Sequence, residues 1–270
     1  MRHVVMFSGG IGSWAAAKRV AEQHGTKDLT LLFTDTKMED EDLYRFIREA
    51  AANVGAPLVT IEDGRDPWEV FFAVRRMGSS QVDPCSKILK RELADRWLKE
   101  NCDPADTLVY VGIDWSEIHR FNGGTRARGL KARKADQGWT YLAPMIEPPY
   151  LDKADMIRWG LSEGVQAPRL YGMGFAHNNC GGFCVKAGEG HYAVLLREMP
   201  ERYAYHEAKE EAFRQFIGKN VSILRDRKTK DGVMKTKPLT LRSLRKRIQA
   251  GCKVDMFALG GCGCFLDESA

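Results

Sequence analysis

Apolar residues in the first half of the chain fall into short unbroken runs, separated by stretches with helical spacing. Residues 3–7 (HVVMF), 29–33 (LTLLF), 57–61 (PLVTI) and 107–113 (TLVYVGI) read as buried strands. Between them, residues 13–24 place Trp14, Ala17, Val20 and Ala21 on one helical face. Residues 39–54 do the same with Leu43, Phe46, Ile47 and Ala50, and Gly55 ends that helix. Another helix is predicted around 86–99, and an amphipathic one over 152–164 beginning at Asp152. Strands that are apolar throughout and alternate with helices predict an α/β fold, a doubly wound parallel sheet covered on both faces. The texture changes near residue 165. A Gly/Cys-rich stretch (172–190), charged helical sequence, a basic segment and a Gly/Cys tail follow, with no repeat and no low-complexity linker. The pattern divides the chain into a nucleotide-binding-type region, 1–165, and a smaller Cys-containing, basic region, 166–270.

The 270 residues are 44% hydrophobic and 29% charged, the composition of a globular protein with a substantial core. No apolar run approaches the roughly 18 residues of a membrane helix, and the opening MRHVVMFSGG lacks the marks of a signal peptide. A cytoplasmic location is therefore expected. The net charge of +5 conceals an asymmetry. Residues 219–253 hold twelve Lys/Arg against Asp226 and Asp231, which leaves 29 basic and 34 acidic residues elsewhere. Residues 125–134 (TRARGLKARK) form a second basic stretch. Such stretches are either solvated faces or tracks for a phosphate backbone, and a large anionic substrate such as tRNA or DNA would account for their concentration. Neither is interleaved with aromatic residues, so base stacking is not expected of them.

Candidate chemistry begins where the first strand ends. Ser8-Gly9-Gly10-Ile11-Gly12-Ser13 joins a strand to a helix. Glycines let backbone N–H groups close on an anion, the helix N-terminus adds partial positive charge, and the serines add hydroxyls. The loop has neither the Lys-Ser/Thr of a Walker A loop nor a GxGxxG spacing.

This loop resembles the PP-loop of the N-type ATP pyrophosphatases and the phosphoadenosine-phosphosulfate (PAPS) reductase family. Further segments match in order: Phe33-Thr34-Asp35-Thr36 with the acidic run from Glu39, Pro84-Cys85-Ser86-Lys87 with Lys90, Val111-Gly112-Ile113-Asp114 through Arg120, Ala143-Pro144-Met145, and Asp152-Lys153-Ala154-Asp155. The resemblance covers about residues 1–190. It departs at Gly12, where many such loops carry an acid, and at Asp114, where the family has arginine.

The resemblance implies a Rossmann-like adenine-nucleotide fold and an ATP-dependent enzyme. ATP is cleaved to AMP and pyrophosphate with Mg²⁺, a substrate is adenylated, and sulfur is often transferred from a donor protein. It places Ser8, Gly9, Gly10, Gly12, Ser13, Phe33 and Thr34 around the nucleotide, with Asp35, Lys87 and Arg120 as catalytic candidates and Lys90 as a further cation. Two other readings stand beside this one. The first is reduction of PAPS or a related sulfonucleotide, for which the family uses a Glu-Cys-Gly-x-His tail that this chain lacks. The second is a nucleic-acid-binding protein that keeps the fold without the catalysis.

Seven cysteines without a secretion signal read as thiols or metal ligands. Cys180 with Cys184 and Cys262 with Cys264 form two glycine-eased pairs, a set of four thiolates suited to Zn²⁺ or an iron–sulfur cluster. Cys85 is a candidate cluster ligand or sulfur carrier. His177 and His191 flank the first pair.

Overall fold

The structure, a computed structural model, describes residues 1–260 apart from Arg126, Asp231, Gly232 and Phe257. Its first half alternates as the sequence predicts: β1 (Arg2–Met6), α1 (Ile11–His24), β2 (Leu29–Asp35), α2 (Glu41–Val54), β3 (Leu58–Glu62) and α3 (Pro67–Val74). A long helix follows, made of α4 (Pro84–Ser86), a π-helical turn (Lys87–Glu92) and α5 (Leu93–Asn101). Then come β4 (Thr107–Val111), α6 (Ile118–Asn122), α7 (Leu130–Ala135) and β5 (Thr140–Leu142). The short β5 is an element the apolar pattern does not reveal.

All five strands are parallel, in the order β3-β2-β1-β4-β5. The chain runs outward from β1 to β3 and then crosses back to β4 on the other side of β1. Neighbours β1 and β4 therefore diverge in connection, and their carboxyl ends open a crevice at the switch point. The central strands are buried almost throughout, and successive residues face opposite cores, as a sheet covered on both sides requires. Val5, Leu31, Phe33 and Tyr110 pack with Trp14, Phe46 and Met156 from α1, α2 and α8 (Lys153–Ser162). Val4, Met6, Leu32 and Val109 face the opposite cluster with Leu98, Leu130 and Trp139.

Local sequence fixes the helix starts. Asp40 caps α2 by accepting from the Asp42 N–H at 3.0 Å. Asp66 with Glu69 and Asp152 with Asp155 form capping boxes on α3 and α8. Strand β4 stops at Val111 rather than at 113, because Gly112 leaves the ladder to approach the glycine loop.

Beyond residue 165 come α9 (Arg169–Gly172), α10 (Glu189–Glu198), α11 (Pro200–Ile217) and α12 (Leu241–Gln249). A third core gathers Phe183, Tyr192, Leu195, Tyr203, Phe213 and Leu244 of this region around Trp68 and Phe71 of α3. The Trp68 indole N–H donates to His206 Nδ1 at 3.0 Å, so the two halves share one interior. The basic segment forms an antiparallel ribbon, β6 (Leu224–Lys230) with β7 (Val233–Leu239), whose ends Leu224 and Leu239 are buried in this core. Among the described residues, no helix is long and apolar enough to cross a membrane.

Candidate functional site

The glycine loop reaches the crevice because its backbone is allowed to go where side chains are not. Gly9 has φ +77°, and a Cβ there would lie 2.8 Å from Leu43. A Cβ on Gly112 would come within 2.7 Å of the Ser13 nitrogen and 2.8 Å of the Gly12 carbonyl. The end of β4 and the start of α1 thus touch backbone to backbone. Gly12 takes part in that contact, since its own Cβ would meet the Gly112 oxygen at 3.1 Å.

Helix α1 begins at Gly10 without a side-chain cap and without an acidic residue in its first turn. The Ile11 N–H donates to the Tyr171 hydroxyl at 3.3 Å, and Ser13 Oγ donates to the Gly10 carbonyl at 2.7 Å. The α1 N-terminus faces a cleft of about 400 Å³. Ser8, Gly10, Gly12 and Ser13 line one side, Gly112 to Glu117 with Arg120 another, and Lys153, Tyr171, His177 and Asn179 the rest. The helix N-terminus and two cations, Arg120 and Lys153, thus line one cleft. Arg120 is nearly buried, pairs with Glu117 at 2.5 Å, and keeps its Nε out of solvent without a partner among the described residues. Lys153 donates to the Ala176 carbonyl and lies 5.4 Å from the centre of the Tyr171 ring. The nearby carboxylates serve local structure: Asp114 accepts from the Ser116 N–H at 2.9 Å, and Asp152 caps α8.

The sequence candidates separate into those that meet here and those that do not. Ser8, Gly10, Gly12, Ser13 and Arg120 line the cleft. Gly9 supports the loop from behind. Phe33 is core, set edge-on against Tyr44, and Thr34 is buried beside it in β2. Asp35 turns toward α2, where its carboxylate accepts from the Tyr44 hydroxyl at 2.9 and 3.1 Å and from the Lys37 N–H at 2.9 Å. Burial and this carboxylate push the Tyr44 phenol well above its usual range, so it stays a donor. Lys87 is not among the residues lining the cleft; its side chain is 60% exposed and lies 3.7 Å from Glu92. Lys90, three residues on, is buried and lies 3.5 Å from the fully buried Glu39. Sequence reading missed Tyr171, and it noted Lys153 and His177 without placing them in the cleft. All three lie far from the loop in sequence, and nothing local to them points to the cleft.

Glu39 also joins the cysteine loop to the sheet. One carboxylate oxygen accepts the Cys180 N–H at 2.5 Å, and the other accepts the Thr36 hydroxyl at 3.0 Å. Cys180 itself has φ +50°. Cys180 and Cys184 are buried and share with Cys85 and Lys90 the wall of an enclosed pocket of about 20 Å³, room for about one water. Among the described residues, no three His, Cys, Asp or Glu side chains converge to hold a metal ion. Cys262 and Cys264, the other half of the expected set, lie outside the described residues. What is described, two buried cysteines with a third on the same wall, fits part of a thiolate site and does not complete one.

No family model matches the chain, and no curated protein matches it. Solved structures do show similarity. A phosphoadenylyl-sulfate (PAPS) reductase from Candida auris, in its phosphate complex, is 18% identical with a TM-score of 0.43, covering 65% of this chain and 79% of that one. NMN synthetase from Francisella tularensis is 13% identical with a TM-score of 0.41, covering 95% of this chain and 80% of that one. Similarity this distant assigns neither activity nor residues to the chain; its α/β, doubly wound character follows from its own sheet order.

Proposed function

We propose that the chain is an ATP-dependent enzyme of the PP-loop type, which holds ATP in the β1/β4 crevice and uses it to adenylate a substrate. One observation carries this reading: the uncapped N-terminus of α1 and the glycine loop open into a cleft at the sheet's switch point, beside Arg120 and Lys153. In the reaction, an acceptor oxygen attacks the α-phosphorus and the bond from that phosphorus to the α,β-bridging oxygen breaks. Pyrophosphate leaves with the electron pair, and a nucleophile, sulfur in the reading favoured here, then displaces AMP from the adenylated acceptor.

The chain's own contribution is position and charge. Backbone N–H groups of the loop receive the departing phosphates, and Arg120 and Lys153 offset the charge that builds on them. Mg²⁺, when bound with the nucleotide, would neutralise phosphate charge, with Asp114 and Glu117 as the carboxylates at the cleft able to meet it. Cys180 and Cys184, with Cys262, Cys264 and the neighbouring Cys85, are the proposed thiolates for Zn²⁺ or an iron–sulfur cluster. Loss of bound metal from a Cys180→Ser/Cys184→Ser double variant checks that assignment, and full retention rejects it.

The basic ribbon gives a specific reason to include a nucleic acid, tRNA or DNA, among the acceptors. The reading is tested by incubating anaerobically purified protein with ATP and Mg²⁺, with and without bulk tRNA or DNA, and measuring AMP and pyrophosphate. Equal amounts of the two products, lost in a Ser8→Ala/Ser13→Ala variant, support it. Sulfite release from PAPS with a thiol reductant would instead identify a sulfonucleotide reductase, and nucleic-acid binding without turnover a non-catalytic protein.

A further inference from the structure

We infer that His177 is a ligand-contact residue of the cleft, its ring N–H donating to a phosphate oxygen of the anion held at the glycine loop. The inference rests on the reading of the cleft as a polyphosphate site. Three histidines of the C-terminal half keep ring nitrogens out of solvent, and two of them have ordinary structural partners. His206 accepts from the Trp68 indole at 3.0 Å, and His191 Nε2 lies 2.9 Å from the Gly182 carbonyl, to which it can only donate. His177 is different. Both of its ring nitrogens are shut off from solvent, and neither has a hydrogen-bond partner among the described residues. A buried polar group left unmet is destabilising, so such a group in a cleft wall calls for a partner that arrives with the ligand.

Because neither nitrogen is open to solvent, the contact requires the ring to turn from its stack on His191 toward the cleft as the anion binds. His177 stacks on His191 with ring centres 4.6 Å apart and planes 23° apart. The next residue, Asn178, donates from Nδ2 to the Gly9 carbonyl at 3.1 Å, so the segment carrying His177 is fixed to the glycine loop itself. Burial, and then the charges of neighbouring His191 and Lys153, hold the His177 imidazole well below its usual pKa. The neutral ring carries one N–H in either tautomer and remains a donor throughout the physiological range. With the α1 N-terminus, Arg120 and Lys153 lining the same cleft, the acceptor that fits is an anionic oxygen.

Calorimetric titration of the full chain with inorganic pyrophosphate and with ATP tests this. His177→Phe keeps an aromatic ring against His191 and removes the N–H; it is expected to weaken both ligands about tenfold or more. His177→Asn or His177→Gln, which restore an N–H donor, should recover part of the loss. In the unaltered protein, pyrophosphate should shift the ring nitrogen resonance of His177, a readout that needs no variant to fold. Wild-type affinity in His177→Phe, or an unmoved resonance at saturating pyrophosphate, overturns the inference while leaving the cleft reading intact. Failure of the wild-type chain to bind either ligand overturns both.

Discussion

Gly112 lies so close to the glycine loop that no side chain fits there, since the nearest atoms are backbone and cannot swing aside. Gly112→Ala is therefore expected to push β4 and α1 apart, costing about 1–3 kcal/mol of stability and weakening nucleotide binding with it. Gly172→Ala, where a Cβ meets nothing within 4 Å, should leave both unchanged. Thermal unfolding and ATP titration of the pair check the contrast. Arg120 and Lys87 make a second comparison. Arg120→Ala removes a cation from the cleft and should lower ATP turnover about tenfold or more, while Lys87→Ala should stay within about twofold of wild type. At this scale the sequence made Ser8 to Ser13 readable, because loop and helix start are contiguous. Gly112 reaches the cleft through sheet order, and Lys153 and His177 through the packing of α8 and the loop after α9, so their meeting is a tertiary fact that no local pattern encodes.

The helix running from Pro84 to Asn101 shows why Lys87 and Lys90 part company. Its π-helical turn, Lys87–Glu92, departs from the 3.6-residue period, so helical-face reasoning loses register there. Lys90 ends up buried against Glu39, whose carboxylate also pins Cys180. Glu39→Ala would leave the Lys90 ammonium without that counter-charge and the Cys180 N–H without its acceptor. A loss of about 1–3 kcal/mol in unfolding free energy is expected, measurable by denaturant titration. The ribbon escaped the sequence reading for another reason. Its strands lack apolar alternation, and among the described residues Leu224 and Leu239 enter the core. On α12, Arg242 and Arg245 pair with Glu207, and Arg247 with Asp226, so part of the basic segment's charge is spent on packing.

Over the whole molecule, buried titratable groups set a direction for stability against pH. Burial holds His177, His191 (at about 4) and His206 below their ordinary value of 6.5. The unfolded chain takes up protons at these sites below about pH 6.5 while the folded chain does not, so stability falls on acidification. Glu210 works the other way. Burial raises it to about 7, although the Ile223 and Leu241 N–H groups donate to it, and it keeps a proton that the unfolded chain releases above 4.5. The melting temperature should therefore drop between pH 7 and pH 5, with a net uptake of about two protons, or about 3 kcal/mol per pH unit at most. Glu210→Gln should steepen the drop. The expected division at residue 165 marks a change of texture in the sequence, and α3 and α11 pack in one core. Apolar runs reveal elements; they do not reveal which elements pack across the chain.

Hydrogen exchange of the full chain with and without saturating ATP and Mg²⁺ tests most directly whether the crevice holds the nucleotide. Slowed amide exchange at residues 8–13, 112–120 and 176–179 together is the expected result. Protection confined to other segments, or no protection at all, would contradict a nucleotide site between β1 and β4.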